Sequence, residues 1–239
     1  MICKVGICGA SGRMGLEIAA AIQQGFQFRD TSFRFCDAIA ESNRISSVEG
    51  IPVRSFLDVS SEPVHIWIDF SRPEATLELL KKIQTPIVIG TTGFSESQWK
   101  EVAHYAEKRP VLFAPNMAPG MNALLRILDS GLLPSTMGFN VVAGESHHKH
   151  KKDSPSGTMK RLISSLELQG YRNIPVEVSR VGEVLGVHRL QFVSDDEEIK
   201  IEHRVLNRRV FANGALVGAQ FLMAQTAPKI YSYEEVLVS

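Results

Sequence analysis

Two segments of the 239-residue chain combine residue types whose spacing suits chemistry. In residues 5–15, Gly9, Gly12 and Gly15 recur at every third position directly after an apolar run. Residues 145–158 concentrate histidines and lysines ahead of a Pro-Ser-Gly-Thr sequence. Glycines let a phosphate approach the backbone, whereas clustered cations and a histidine suit an anionic ligand and proton transfer. Both segments therefore point to ligand binding.

The glycine segment is typical of a strand–turn–helix unit that binds a dinucleotide. Gly9 would permit the tight turn, Gly12 would let the backbone approach a pyrophosphate, and Gly15 would let the helix pack closely on the sheet. The free N–H groups and the positive end of the helix dipole would face the pyrophosphate. A turn without a ligand is the alternative, and the strand–turn–helix context favours the nucleotide.

Asp37 is the candidate contact for the adenosine ribose. It ends a predicted strand at residues 33–36, about 20 residues after Gly15, where dinucleotide-binding folds place an acidic group. A carboxylate there favours NADH, whereas the nearby Arg13 and Arg34 would favour the 2′-phosphate of NADPH. Asp37 as an ordinary polar residue at a strand end is the competing interpretation, so the choice between NADH and NADPH stays open.

Three further short motifs each follow a predicted parallel strand. They are Asp69-Phe70-Ser71, Gly90-Thr91-Thr92-Gly93 and Ala114-Pro115-Asn116-Met117. Open α/β sheets bind ligands at the carboxyl ends of their strands. Each motif alone would be an ordinary turn, but three at corresponding strand ends predict a cleft along one edge of the sheet.

The basic cluster, residues 145–153, predicts a site for a small anion with several charges. Residues 155–157 have the composition of a helix entrance, so N–H groups around Gly157 and Thr158 should point outward beside the cations. A histidine in that field could deliver a proton. Adjacent lysines oppose a zinc site, and zero net charge opposes a nucleic-acid patch. A solvated basic loop remains the plain alternative, and no metal is expected.

Alternating strands and helices in the first half predict a mostly parallel sheet covered on both faces. The predicted strands are 2–8, 33–36, 64–70, 86–89 and 111–114, with helices at 12–24, 73–83 and 95–108. The second half predicts strands at 139–145, 176–181, 188–193 and 199–206, with helices at 121–133, 157–168 and 214–225. Strands that follow one another without helices are usually antiparallel.

The predicted fold class is therefore α/β, a Rossmann-type dinucleotide-binding domain with a second α+β substrate domain that has an open mixed or antiparallel sheet. The last helix should return to the first domain. The predicted domains are residues 1–117 with 212–239 for the dinucleotide, and 118–211 for the substrate.

Composition restricts the class of protein. Lys plus Arg and Asp plus Glu each number 26, so the chain lacks the basic field that grips DNA or anionic lipid. No apolar run reaches the roughly 18–20 residues that cross a bilayer. The cysteines Cys3, Cys8 and Cys36 have spacings that suit neither a disulfide framework nor a zinc site. We expect a soluble cytoplasmic protein with no nucleic-acid or membrane partner.

Together these motifs resemble the dihydrodipicolinate reductase family, also called 4-hydroxy-tetrahydrodipicolinate reductases. The resemblance runs nearly end to end, and its most specific part is the segment 145–158. It also includes Arg180-x-Gly182-x3-Gly186-x-His188 and residues 211–215. It implies an NADH- or NADPH-dependent oxidoreductase of diaminopimelate and lysine biosynthesis. Its substrate would be a cyclic dicarboxylate, and its assembly a homotetramer built through the sheet of the second domain.

The resemblance also implies residue roles. His147 and Lys151 would take the acid–base roles, and His148, Gly157 and Thr158 would contact the substrate. The cofactor would be held by Gly9, Ala10, Ser11, Gly12, Arg13, Met14, Asp37, Gly90, Thr91, Thr92, Ala114, Pro115, Asn116 and Met117. The chain departs from the family pattern at residues 117–122, where the family usually has Phe-Ser-x-Gly-Val, and its stretch between Thr158 and Arg180 is short.

Two other functions compete with this one. Aspartate-semialdehyde dehydrogenase would need a cysteine nucleophile, yet no cysteine follows Cys36. A nucleotide-sensing regulator without turnover would need no proton donor, so His147 and Lys151 argue against it.

Overall fold

The computed structural model describes residues 1–40, 45–55, 63–131 and 135–238. The chain forms two compact units, one of Met1–Met117 with Arg209–Ser239 and one of Ala118–Arg208. Among the helices that are described, none has the length and hydropathy needed to cross a membrane.

The first unit begins with strands and helices in alternation. Up to residue 117 they are β1 Ile2–Cys8, α1 Arg13–Gln23, β2 Gln27–Phe28, β3 Thr31–Ile39, β4 Ser47–Val48, β5 Ile51–Arg54, β6 Ile66–Asp69, α2 Pro73–Leu80, β7 Ile87–Ile89, α3 Glu96–Ala106 and β8 Val111–Phe113. The second unit contains α4 Pro119–Asp129, β9 Asn140–His147, α5 Gly157–Leu168, β10 Val176–Arg180, β11 Val187–Val193 and β12 Glu198–Arg204, with a 3₁₀ turn at Ser135–Met137. The chain then returns to the first unit in α6 Arg209–Met223, β13 Ile230–Tyr231 and α7 Tyr233–Val236.

The large sheet has the strand order β13-β8-β7-β6-β1-β3-β5-β4, and β2 pairs with β3. Pairings between β13 and β5 along this order are parallel, whereas β2–β3 and β4–β5 are antiparallel. From β1 the chain adds β3 and β5 on one side of the sheet and then β6, β7 and β8 on the other. This reversal makes the carboxyl end of β1 a topological switch point. This topology confirms the predicted Rossmann-type fold.

Helices cover both faces of the large sheet. On one side α1 and α6 pack over Val5 and Ile7, and on the other α2 and α3 pack over Trp67 and Ile87. These side chains are almost completely buried, as expected for parallel strands that are apolar on both faces. Gly6 permits this packing, because a Cβ there would lie 2.7 Å from the indole of Trp67.

The second unit has a four-stranded sheet in the order β10-β9-β11-β12. Strand β9 pairs in parallel with β10, which follows it through the crossover helix α5, whereas β11 is antiparallel to both β9 and β12. This confirms the predicted mixed sheet. Helix α5 begins and ends where the sequence predicts. Ser156 caps its first turn by accepting a hydrogen bond from the Met159 N–H.

In the first unit, helix α6 lies close against Met117, the last residue of that unit's N-terminal segment. A Cβ at Gly214 would overlap the carbonyl oxygen of Met117 and come within 3.0 Å of the Tyr233 hydroxyl. That hydroxyl donates a hydrogen bond to the Gly214 carbonyl at 3.0 Å. Backbone on both sides of the contact leaves little room for adjustment.

We therefore expect Gly214→Ala to lower the free energy of unfolding by about 1–3 kcal/mol, the usual cost of overpacking. The matched control is Gly120→Ala in α4, where the added Cβ would lie an ordinary 3.4 Å from the His203 ring. Because alanine favours helix over glycine, the control should be neutral or stabilising. Urea unfolding followed by circular dichroism measures both, and equal stabilities for the two variants would contradict the close contact.

Candidate active site

The glycine turn lies at the carboxyl end of β1. The N–H groups of Gly9 and Ala10 donate to the Ile39 carbonyl at 2.9 and 3.1 Å. Gly9 has φ +79°, and a Cβ there would lie 2.6 Å from the Phe70 carbonyl oxygen. A Cβ at Gly15 would lie 2.6 Å from the Ala10 Cα. The turn therefore requires glycine for both conformation and space.

The first turn of α1 offers backbone N–H groups to an anion. Its N-cap is Gly12, which has no side chain to accept a hydrogen bond, and its first turn contains no acidic residue. Such an end carries the positive pole of the helix dipole and unpaired donors. These features fit the pyrophosphate of a dinucleotide. Ala10 is buried, Ser11, Gly12 and Met14 are half-buried, and Arg13 is exposed.

Asp69 ties the neighbouring strand ends together. Its carboxylate is fully buried and accepts hydrogen bonds from the hydroxyls of Ser71, Thr76 and Thr91. The Ser71 N–H donates both to Asp69 and to the Thr91 hydroxyl. Burial raises the pKa of Asp69 even though these hydrogen bonds favour the charged form. The carboxylate therefore holds two of the predicted loops in one arrangement.

The predicted cofactor residues at the other strand ends have different exposures. Gly90 lies against the Phe70 ring, and a Cβ there would lie 2.5 Å from its Cζ. Thr91 is buried, but Thr92 and Pro115 are exposed and Asn116 is half-buried. The side chains of Ala114 and Met117 are buried in the core, so these two residues can contact a ligand mainly through their backbone.

The prediction that Asp37 ends its strand is wrong. Strand β3 continues to Ile39, and a register shift beside Val5 and Gly6 pairs Asp37 with Gly6 rather than with the end of β1. Asp37 is only 1% exposed. The residue level with the glycine turn is Ile39, so the geometric basis for assigning Asp37 to the ribose is lost. The next acidic residue, Glu41, lies outside the described residues.

In the second unit, the basic cluster does not begin as a loop. Strand β9 extends to His147, two residues beyond the predicted strand, and the side chains of Val141, Ala143, Glu145 and His147 alternate onto its buried face. His147 is 6% exposed. It is therefore a strand residue with a fixed position rather than part of a flexible segment.

Glu145 is the centre of a buried polar group. Its carboxylate accepts hydrogen bonds from the Arg180 guanidinium at 2.7 Å and from the Ser156 N–H at 3.1 and 3.2 Å. Burial alone would raise the pKa of Glu145, but the Ser156 and Arg180 hydrogen bonds outweigh it and lower the pKa. Glu145 is therefore ionised at neutral pH.

Two histidines flank this carboxylate. Nδ1 of His147 and Nε2 of His188 each lie 3.8 Å from Glu145 Oε2, and the two rings meet edge to face with centroids 5.1 Å apart. Burial, with a smaller contribution from His147, lowers the pKa of His188 to about 4. Burial also lowers the pKa of His147, while Glu145 opposes that shift. His188 is thus neutral at physiological pH.

Lys151 and Gly157, predicted to act on the substrate, share an internal partner. The Lys151 ammonium lies 2.8 Å from the Asp153 carboxylate, and the Gly157 N–H also donates a hydrogen bond to that carboxylate. Gly157 is exposed, and both His148 and Thr158 are half-buried. Asp153 therefore already occupies donors that a substrate carboxylate would need.

Glu145, His147 and His188 also form a compact set of potential metal ligands, with one atom from each within 4.8 Å of the others. The set does not fit a dication, because Arg180 and the Ser156 N–H already donate to the carboxylate. Lys151 adds further positive charge that acts on His147. The arrangement suits a proton donor better than a metal.

Comparison with known proteins decides the family. A model described as the N-terminus of dihydrodipicolinate reductase matches residues 3–117, and one described as its C-terminus matches residues 120–237. The chain belongs to the dihydrodipicolinate reductase family. The predicted resemblance is thereby confirmed, and the two models divide the chain close to the boundary between the units.

Similar proteins match along nearly their whole length. A 4-hydroxy-tetrahydrodipicolinate reductase of Bdellovibrio bacteriovorus is 36% identical over 98% of this chain and 96% of its own. One of Hahella chejuensis is 34% identical over 98% of each chain. A dipicolinate-bound dihydrodipicolinate reductase from Paenisporosarcina sp. TG-14 has a TM-score of 0.73 at 21% identity, covering 97% of this chain and 98% of that chain. That solved structure supports the fold.

Within this reductase fold, sequence reasoning gave no role to Glu145, Arg180 or His188. No short stretch of the sequence indicates that these three residues lie together. On β9, Glu145 and His147 share a face because they are two residues apart. The sheet register then places His188 opposite Glu145 and Arg180 opposite His147. Only the pairing of three strands brings these residues together.

The buried histidines should make the stability of this reductase depend on pH. The pKa of His188 is about 4 when folded against an ordinary value of 6.5, so the unfolded chain binds a proton that the folded chain does not. The free energy of unfolding should therefore fall as the pH drops through this interval. His147 and His203, whose pKa values burial also lowers, add to the slope.

Between pH 7 and 4.5, His188 should cost the wild type about 2 kcal/mol of its free energy of unfolding, and His188→Gln should be spared that loss. Urea unfolding across that range measures the slope independently of any change in absolute stability. The control is His104→Gln on the exposed face of α3, which removes a histidine without touching the buried group around Glu145. A slope in His188→Gln as steep as in the wild type would show that His188 is not held neutral.

Proposed function

We propose that this chain reduces 4-hydroxy-tetrahydrodipicolinate to tetrahydrodipicolinate with NADH or NADPH, in diaminopimelate and lysine biosynthesis. The observation that carries the proposal is the buried His147 beside Glu145, in the same unit as the cationic entrance of α5. The first unit supplies a dinucleotide fold. Relatives that match over nearly the whole chain carry this activity in their names.

The cofactor would be held at the carboxyl edge of the large sheet. The glycine turn and the first turn of α1 would bind its pyrophosphate through backbone N–H groups. The loops fixed by Asp69, with Gly90, Thr91 and Thr92, would support the rest of the molecule together with residues 114–117. When bound, NADH or NADPH supplies a hydride, and the protein contributes orientation and electrostatics.

In the second unit the chain would bind carboxylates and move one proton. Gly157 and Thr158 would donate hydrogen bonds to a substrate carboxylate, beside the charges of His148 and Lys151. That carboxylate would replace Asp153 on Lys151 and on the Gly157 N–H. His147 would supply the proton that balances the hydride, and Lys151 would assist it.

Assembly, location and coenzyme preference complete the proposal. We place the reaction in the cytoplasm, because Cys3 and Cys8 are buried in β1 as reduced thiols. A homotetramer built through the second unit's sheet follows from the family resemblance. Since Asp37 is buried within β3, we assign coenzyme preference to residues beyond the end of that strand rather than to Asp37.

A nucleotide-sensing regulator is the function to exclude. Steady-state NADH oxidation with substrate generated in situ is the first test of turnover. His147→Ala and Lys151→Ala should each keep NADH affinity but lower kcat by about 10²–10⁴-fold, the scale of a positioned acid. Lys152→Ala, an exposed neighbour in the same cluster, should lose little. Normal turnover in either variant at saturating substrate would remove that residue from the catalytic roles.

The anion site makes a separate prediction about inhibitors. Pyridine-2,6-dicarboxylate should compete with the substrate, because it presents two carboxylates without accepting hydride. Pyridine-2-carboxylate should bind at least about tenfold more weakly, since losing one charge-assisted hydrogen bond costs about 1.5 kcal/mol or more. Gly157→Val should weaken dicarboxylate binding and spare NADH binding. Equal inhibition constants for the two pyridines would overturn the two-carboxylate model and favour a solvated basic loop.

A further inference from the structure

The two nitrogens of the His147 ring face different surroundings. Nδ1 lies 3.8 Å from Glu145 Oε2 and, among the described residues, makes no hydrogen bond. Nε2 lies beside Gly186, where an added Cβ would come within 3.3 Å of it. One nitrogen therefore faces a buried carboxylate, and the other faces space that a side chain at position 186 would fill.

Gly186 is not needed for its backbone conformation. It is absent from the described glycines that have positive φ, so an ordinary residue could adopt its backbone angles. Its carbonyl accepts a hydrogen bond from the Val205 N–H at 2.9 Å, which fixes the segment. The property that distinguishes Gly186 is the missing side chain next to Nε2.

Glu145 is held too firmly to turn away from His147. Arg180 on β10 and the Ser156 N–H at the α5 entrance fix both carboxylate oxygens, and the side chain has no exposed surface. His188, opposite on β11, completes the enclosure as a neutral ring. A rigid carboxylate aimed at one ring nitrogen selects the tautomer with its proton on that nitrogen.

We propose that Glu145 is the positioning residue for the proton donor, holding His147 with its proton on Nδ1, and that the missing side chain at Gly186 opens Nε2 to the substrate. The inference rests on the proposed function. Protonated His147 would lose the proton on Nε2 to the substrate and become the neutral Nδ1–H tautomer. The Glu145 carboxylate would face the Nδ1 proton before and after the transfer and would not itself take the proton.

The groups around His147 determine how its pKa should respond to variants. Burial lowers it; Glu145 on the same strand and Asp153 in the loop raise it; Lys151 and Arg180 lower it. His188, on the neighbouring strand, contributes no charge when neutral. Removing the charge of Glu145 leaves only Asp153 to oppose burial and the two cations. Glu145→Gln should therefore lower the pKa of His147, and with it the fraction of proton donor at neutral pH.

The first test uses the cofactor-free wild-type protein. Two-bond ¹H–¹⁵N NMR of the histidine rings, assigned with His147→Ala, reports which nitrogen of neutral His147 carries the proton. We expect the Nδ1–H tautomer. The Nε2–H tautomer would overturn the assignment of Glu145. This result does not depend on turnover, so it is separable from failure of the proposed function, which would appear as no NADH oxidation at any pH.

The second test compares variants at Glu145. Glu145→Gln keeps an acceptor for the Ser156 N–H, so we expect a modest change in KM. It should lower the His147 pKa in an NMR titration, with the same shift in the pH profile of kcat. Glu145→Asp keeps the negative charge, so the His147 pKa in this variant should lie much closer to the wild-type value. The control is Glu177→Gln on exposed β10. A lower kcat without any shift in pKa would make Glu145 merely structural.

The third test addresses Gly186. Gly186→Ala should lower kcat by about tenfold or more, and Gly186→Val by more, because the added carbons crowd Nε2. Neither should change NADH affinity or move the His147 pKa as Glu145→Gln does. Wild-type kcat in both variants would overturn the role of Gly186. If Glu145→Gln does not fold, the wild-type tautomer and the Gly186 variants still decide each half of the proposal.

Discussion

The arrangement of the second unit depends on one buried carboxylate. An ionised Glu145 with no exposed surface is tolerable only if charge and hydrogen bonds compensate for its lost hydration. Arg180 supplies the charge from β10, and Ser156 supplies an N–H from the entrance of α5. The same requirement that stabilises the carboxylate therefore aligns three elements, β9, β10 and α5. One group therefore places both His147, the proposed proton donor, and the entrance of α5, the proposed anion site.

The first unit solves a similar problem without a cation. Asp69 is also fully buried, yet its partners are hydroxyls and a backbone N–H rather than a guanidinium. Burial accordingly raises the pKa of Asp69, whereas the pKa of Glu145 is lowered. Asp69 fixes loops that would contact an uncharged or anionic part of a cofactor. Glu145 stands beside His147, which would carry positive charge in its proposed role as proton donor, so the ionisation of Glu145 would matter chemically.

Features encoded locally could be predicted from the sequence, and those that depend on strand pairing could not. The glycine turn and the bounds of α5 follow from short segments, because turn conformation and helix capping involve residues close in the chain. Asp37 does not reach the glycine turn because β3 continues to Ile39, and a one-residue register shift moves Asp37 one position further back, opposite Gly6. The association of Glu145 with Arg180 and His188 likewise requires the order β10-β9-β11, which no local pattern contains.

The location of His147 in a strand rather than a loop explains how one histidine can be both buried and useful as an acid. Desolvation lowers its pKa and Lys151 and Arg180 lower it further, which would leave an isolated ring neutral and without a proton to give. A mobile loop could relieve this by exposing the ring, but the geometry needed for proton transfer would then be lost. A fixed carboxylate at Nδ1 opposes the desolvation while the ring stays in place. The cost of burying Glu145 is thus offset by Arg180 for folding, and the charge of Glu145 opposes the lowering of the His147 pKa by burial and by the two cations.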